Sequence, residues 1–162
     1  MKKIILSATI KEFSGDSELP GNDLDLLKRA RFAAENAYAP YSQFNVGAAL
    51  KLRSGEVVTG NNQENVAYPS GLCAERVAVF SASANHPGEE IEAIAVSCFS
   101  VKTGSAQPFS PCGACRQVLA EYEQKQGKNI RIILGGRTGN ILVIDSVRDL
   151  LPLAFEAVAL KK

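Results

Sequence analysis

Apolar and polar positions along the chain recur with two different periods, which predict a succession of strands and helices. Helices are predicted over residues 23–38, 73–84, 111–124 and 146–151, and strands over residues 4–13, 46–52, 57–61, 91–98, 130–134 and 141–144. Asn22 is the expected N-cap of the first helix. Ser110 is the expected cap of the third helix and Pro111 its first residue, and Pro152 ends the last helix.

The order of these elements is that of a mixed α/β domain. Strands that alternate with helices form a sheet with helices on both faces, and the turn at Ser54 and Gly55 adds a hairpin. At 162 residues, 46% hydrophobic and 22% charged, the chain has the length and composition of one globular domain. We expect this domain over residues 22–162, after an N-terminal extension, residues 1–21, made of an added edge strand and a connector.

Charge and hydropathy narrow the choice of partners. The formal net charge is +1 and the basic residues are scattered, so the sequence favours a small neutral ligand over nucleic acid or a membrane surface. The apolar run after Lys2 and Lys3 is too short for a signal peptide, and no run approaches the roughly 20 residues of a membrane span. We therefore expect a cytoplasmic protein, in which its four cysteines would be reduced.

Three cysteines are spaced as metal ligands. Cys112 and Cys115 lie at i and i+3 in the first turn of a predicted helix, so both thiols face one side. Cys73 opens another predicted helix, and a helix N-terminus favours thiolates. Three protein ligands leave a fourth tetrahedral position open, which is the pattern of a catalytic zinc ion. The sequence thus predicts one Zn²⁺ per chain.

Two charged residues follow Cys73 closely. Glu75 is near enough to carry protons for water bound to the metal, although it could also be an acidic first-turn residue that interacts with the helix dipole. The sole histidine, His86, lies in a predicted surface loop, so three thiolates would carry surplus negative charge. Arg76 is a candidate to donate hydrogen bonds to a ligand sulfur; the alternative is a solvated helix arginine.

Other interpretations of the cysteines remain open at this point. A thioredoxin-type redox pair at Cys112 and Cys115 would leave Cys73 unexplained. A structural zinc site with Cys98 as fourth ligand would make the chain a non-enzymatic, zinc-stabilised domain. Cys98 also ends an apolar strand, where a buried thiol is the simplest interpretation.

Several motifs together resemble the small homotetrameric cytidine deaminases. C-A-E-R at residues 73–76 and S-P-C-G-A-C-R-Q at residues 110–117 are similar to the three-cysteine zinc signature of that family. Further similar segments lie, in the same order, at residues 38–42, 44–50, 62–65 and 150–152. The resemblance covers about residues 30–155, and it identifies residues 22–162 as a zinc deaminase domain.

The resemblance implies a three-layer α/β/α fold with a five-stranded mixed sheet. It also implies hydrolysis of cytidine, and of deoxycytidine, to uridine and deoxyuridine with release of ammonia. Zinc would activate the attacking water and Glu75 would carry the protons. Phe44 would pack against the base, the Ala74 backbone N–H would hold its carbonyl, and Asn62 and Glu64 would bind the ribose. Without the resemblance, Phe44 could simply begin a core strand, and Asn62 and Glu64 could be turn residues.

The family completes its active sites across subunits of a homotetramer. By resemblance, Ala67, Tyr68 and Phe155 would serve a neighbouring subunit's pocket. Two departures from the family pattern stand out: Asn45 replaces a proline, and Pro69 begins a P-S-G run where the family usually has glycine first.

Related deaminases match less well. Blasticidin-S deaminase shares the C-A-E and P-C-G-x-C-R-Q elements but lacks a good match to N-Q-E-N at residues 62–65. Deoxycytidylate and nucleic-acid deaminases typically have histidine in place of Cys73 and need basic residues for phosphate. The balanced charge of this chain favours a nucleoside.

Overall fold

The computed structural model describes residues 1–100 and 107–156, which form one six-stranded sheet with helices on both faces. In chain order the elements are β1 (Lys11–Phe13), α1 (Gly21–Glu35), β2 (Phe44–Leu52), β3 (Val57–Asn61), α2 (Ala74–Asn85), β4 (Ile91–Ser100), α3 (Gly113–Gln126), β5 (Arg131–Gly135) and β6 (Ile141–Ile144). Two short 3₁₀ helices span Tyr68–Ser70 and Val147–Leu150. In the described part of the chain, no helix has both the length and the apolar character needed to cross a membrane.

The sheet has the strand order β1-β6-β5-β4-β2-β3. Only β4 and β5 pair in parallel; the other neighbours are antiparallel. Successive side chains of a strand point to opposite faces, so the sheet supports two cores. One core packs under α2 and α3 and the other under α1. The three-layer α/β/α fold and the mixed sheet are thereby confirmed.

The sheet has six strands where the family resemblance implied five. The added strand is β1, which pairs with β6 through Lys11 and Val143 at the edge of the sheet. The strand predicted over residues 4–13 forms only at its end, and residues 1–10 are exposed without regular secondary structure. The count differed because the resemblance begins after these residues.

Helix starts differ from the predicted caps. Pro20, with φ of −53°, precedes α1 and no side chain caps this helix, so the Asn22 cap was wrong. Cys112 is the N-cap residue of α3, and Ser110 and Pro111 lie outside the helix. Cys73 occupies the same N-cap position on α2. Two of the four cysteines therefore stand at equivalent positions, each at the positive end of a helix.

Glycine at position 60 lets α2 approach β3 closely. A Cβ atom on Gly60 would lie 2.5 Å from the Ala78 nitrogen and 2.7 Å from the Ala74 oxygen, both backbone atoms of α2. We expect Gly60→Ala to push the helix away and lower the free energy of unfolding by about 1–3 kcal/mol. Urea titration measures this loss, with Gly21→Ala as the matched control because nothing lies within 4 Å of that position. A Gly60→Ala variant as stable as the wild type would contradict the close packing.

Candidate active site

Three cysteine sulfurs meet where the N-termini of α2 and α3 converge. The Cys73 and Cys112 sulfurs are 3.8 Å apart, and those of Cys112 and Cys115 are 3.5 Å apart. All three lie within 4.8 Å of one another, and no other group of three such side chains converges in the described residues. A tetrahedral zinc ion with Zn–S bonds of about 2.3 Å separates its sulfurs by about 3.8 Å. The group therefore suits one zinc ion.

The electrostatics of the group favour a thiolate ligand. Hydrogen bonds from the Cys115 thiol and the Arg76 guanidinium lower the pKa of Cys73 to about 5, against the opposing effect of burial. The hydrogen bond to Cys73 and burial raise the pKa of Cys115, so this thiol holds its proton when no metal is bound. A metal ion takes the place of such protons, because cysteine binds metals as the thiolate.

Arg76 lies beside the cysteines on the first turn of α2. Its Nη2 atom is 3.7 Å from the Cys73 sulfur, within the range of a hydrogen bond to sulfur. Its Nε atom is buried and has no hydrogen-bond partner among the described residues. The guanidinium charge is thus held next to the Cys73 sulfur, where it would offset surplus negative charge of three thiolates around a metal ion.

Glu75 is the buried acid of the site. Only 5% of the residue is exposed, and it lines the same cavity as Cys73 and Cys112. Burial raises the pKa of Glu75, and the negative Cys73 sulfur adds to this increase. A buried carboxyl group with a raised pKa is suited to accept a proton and return it.

The cavity next to the cysteines has a volume of about 740 Å³, within the range of small-molecule sites. One part of its wall is polar and includes Asn62, Gln63, Glu64 and Asn65. Another part is apolar and includes Phe44, Val46, Val96 and Phe109. A ligand with an apolar ring and a hydroxylated group would match both kinds of wall.

Three of the predicted substrate contacts, Phe44, Asn62 and Glu64, line this cavity. Asn62 also holds β2, since its Oδ1 accepts from the Val46 N–H at 2.8 Å and its Nδ2 donates to the Phe44 oxygen at 3.0 Å. An asparagine side chain has two N–H donors and two oxygen lone pairs, and these bonds use one of the donors and one of the lone pairs. The side chain therefore keeps capacity for a ligand.

The fourth predicted contact is a backbone group. Ala74 is fully buried and is the first residue of α2, so its N–H belongs to the turn whose donors lack intrahelical acceptors. A ligand carbonyl is one of the partners that such an N–H can take.

The predicted cross-subunit residues occupy different places. Tyr68 lines the cavity of its own chain and meets Tyr41 edge-on, with ring centroids 6.0 Å apart. Ala67 and Phe155 are not among the lining residues. The Phe155 N–H donates to Gln117 Oε1 at 3.1 Å, and the Phe155 oxygen accepts from Gln117 Nε2 at 2.8 Å. Phe155 is 72% exposed.

The three cysteines predicted to bind zinc do lie together, but Phe109 was not predicted to be part of the site. The Phe109 ring meets Phe44 edge-on, with centroids 5.2 Å apart at 74°, and the two rings form an aromatic corner of the cavity. Its place three residues before Cys112 was the one available signal.

Cys98 and His86 lie outside the cysteine group. Cys98 lines the cavity as a buried thiol, and burial raises its pKa to about 11, but its sulfur is not among the three that lie within 4.8 Å of one another. The half-buried His86 follows α2, with its Nδ1 atom 3.5 Å from a Glu56 carboxylate oxygen. These positions favour three zinc ligands over a four-cysteine structural site.

A three-layer α/β/α fold with an open three-thiolate zinc site and a buried glutamate defines the class of zinc-dependent deaminases. Residues 20–128 match the family model described as "Cytidine and deoxycytidylate deaminase zinc-binding region". The chain belongs to the cytidine deaminase family.

Individual relatives agree with this assignment. The chain is 44% identical to a cytidine deaminase of Halalkalibacterium halodurans over 132 residues, which cover 82% of this chain and 92% of that protein. It is 42% identical to a cytidine deaminase of Mycobacterium tuberculosis over 105 residues, covering 64% and 74%. The crystal structure of cytidine deaminase from Burkholderia pseudomallei is similar with a TM-score of 0.71 and 42% identity, covering 85% of this chain and all of that one.

Proposed function

We propose that this chain hydrolyses cytidine, and also deoxycytidine, to the uracil nucleoside and ammonia. The observation that carries the proposal is the buried Glu75 beside a three-cysteine group in one cavity. Relatives that are named cytidine deaminases and align with most of this chain support the choice of substrate.

The chemistry divides between the metal and Glu75. Zinc held by Cys73, Cys112 and Cys115 would keep one position for water and lower the pKa of that water to about 7. Glu75 would take one proton from the attacking water and deliver it to N3 of the pyrimidine. It would then take the second proton of that water, from the hydroxyl added at C4, and deliver it to the departing amine, so that ammonia leaves and a carbonyl remains at C4. Its burial supports this role, because a carboxyl with a raised pKa both accepts and returns protons.

The cavity walls would orient the nucleoside. In the proposed pose Phe44 packs against the base and the Ala74 N–H binds the base carbonyl. Asn62 and Glu64 bind the ribose hydroxyls on the polar side. The spare hydrogen-bonding capacity of Asn62 and the cavity position of Glu64 support this arrangement.

We also propose that the active form is a homotetramer, in which Ala67, Tyr68 and Phe155 contribute to a neighbouring pocket. The exposed ring of Phe155, which lies outside the lining of its own cavity, supports this role. We expect sedimentation velocity at micromolar concentration to give a tetramer. A chain that is monomeric at that concentration and still turns over cytidine would contradict shared pockets.

A panel of aminopyrimidines tests the substrate. Zinc-loaded protein should convert cytidine and deoxycytidine, and should convert deoxycytidine monophosphate and blasticidin S at least about 100-fold less efficiently, a difference of about 2.7 kcal/mol. Preference for blasticidin S or for the monophosphate would overturn the nucleoside assignment. Conversion of none of the four would instead favour a zinc-stabilised, non-enzymatic domain.

A further inference from the structure

One hydroxyl group connects two of the proposed substrate contacts. Ser42 Oγ donates to Glu64 Oε1 and accepts from the Phe44 backbone N–H at 3.0 Å. The other carboxylate oxygen of Glu64 accepts from the backbone N–H groups of Tyr41, at 2.9 Å, and of Ser42, at 3.2 Å. These bonds lower the pKa of Glu64, and the bond from the Ser42 hydroxyl has the largest effect. The carboxylate therefore stays ionised and acts as an acceptor.

The backbone of this loop is held in an uncommon conformation. Gln43, between Ser42 and Phe44, has φ of +56°, and it is the one non-glycine residue with positive φ in the described chain. Its N–H donates to the Ala39 oxygen at 3.0 Å. Left-handed backbone at such a residue persists where the surrounding bonds determine it. The Ser42 hydroxyl makes two such bonds: it accepts from the Phe44 N–H across Gln43, and it donates to Glu64.

Phe44 is also held on its other side. Its carbonyl accepts from Asn62 Nδ2 at 3.0 Å, while its N–H donates to Ser42. Both backbone groups of the residue are thus bound by side chains that line the same cavity. Phe44 is the first residue of β2, and Ser42 and Asn62 hold in place the backbone that carries its ring.

From this geometry we infer that Ser42 is a positioning residue, which sets the Glu64 carboxylate and the Phe44 ring at a fixed separation for the sugar and the base of the nucleoside. The inference rests on the proposed function, because it requires that Glu64 and Phe44 bind the substrate. Ser42 itself need not touch the nucleoside. Its loss would affect binding of both substrate parts and leave the cysteines and Glu75 as they are.

Steady-state kinetics of zinc-loaded variants test this inference. Ser42→Ala should raise KM for cytidine about tenfold, as expected for one hydrogen bond to a charged group, and should change kcat by less than about threefold. Ser42→Thr keeps the hydroxyl and should restore KM to within about threefold of the wild type. Ser54→Ala, in the exposed turn between β2 and β3, is the matched control and should leave both constants unchanged.

A double-mutant cycle separates positioning from general damage to the loop. Because the inference requires Ser42 to position Glu64 as well as Phe44, the two changes should be coupled. Ser42→Ala in a Glu64→Ala background should raise KM by less than about threefold beyond the KM of Glu64→Ala alone. Full additivity of the two changes would overturn the inference, as would a Ser42→Ala variant with unchanged KM. A wild-type chain that leaves cytidine unconverted would instead refute the proposed function, so the two failures are distinguishable.

Discussion

Glu75→Gln is expected to lower kcat for cytidine by a factor of about 10² to 10⁴, the usual contribution of a general acid–base group. The amide has nearly the shape of the carboxyl group but cannot take a proton from water or return one to the leaving amine. Zinc should remain at one ion per chain, because the three cysteines are unchanged.

The measurement combines cytidine turnover with metal analysis of the same preparation. Glu121→Gln is the matched control, since Glu121 is exposed on α3 and lies outside the cavity lining. Loss of turnover together with loss of zinc would assign Glu75 to the stability of the site instead of proton transfer. Full activity of Glu75→Gln would remove it as the proton carrier.

The second large effect concerns the metal ligands. Cys73→Ser is expected to abolish retention of zinc on dialysis and to lower turnover by at least about 10³-fold, since the lowered pKa of the metal-bound water is lost. Cys98→Ser is the matched control, because Cys98 lines the cavity without belonging to the cysteine group. It should keep one zinc ion per chain.

Thermal unfolding with and without added zinc provides an independent readout. A ligand that binds only the folded state raises the melting temperature by mass action, so zinc should stabilise the wild type and Cys98→Ser but not Cys73→Ser. Loss of zinc from Cys98→Ser would support the four-cysteine structural site. Retention of zinc by Cys73→Ser would contradict the proposed ligand set.

Most of the fold was predictable because its signals are local. Apolar periodicity marks each helix and each long strand within its own segment, and β2 to β6 and the three α-helices lie close to where that pattern predicts them. The cysteine group was predictable for a similar reason. Cys112 and Cys115 share one helical turn, and Cys73 begins a comparable helix.

Features that depend on distant pairing were not predictable. An added edge strand was expected within residues 1–21, but its partner was not: β1 forms where Lys11 meets Val143, a contact that local periodicity does not encode. Cys98 reaches the cavity wall because the register of β2 and β4 places it opposite Val46. The sequence predicted that Cys98 is buried, but it did not predict that Cys98 lines the cavity.

The α3 residue Glu123 illustrates the same limit. It is buried and binds three donors: the Ile130 N–H at 2.7 Å, the Val147 N–H at 2.9 Å and the Ser146 hydroxyl at 2.6 Å. In the sequence it stands among other charged residues of an amphipathic helix, so nothing local separates it from a solvated glutamate. The donors come from segments that approach only in the folded chain.

The polar residues at positions 62 and 64 fit two interpretations at once. Asn62 and Glu64 hold the backbone of residues 41–46 by hydrogen bonds, as turn residues often do, and they also line the cavity. Sequence spacing offered these as alternatives. The structure makes them compatible, because a carboxylate and an amide can each bind several partners.

The most direct test of the central claim is an ultraviolet assay of cytidine conversion by the purified chain, before and after removal of zinc by a chelator. Zinc-loaded protein should convert cytidine to uridine, lose that activity on chelation and regain it when zinc is restored. Cytidine left unchanged by zinc-loaded protein, or converted equally well after the metal has been removed, would contradict that claim.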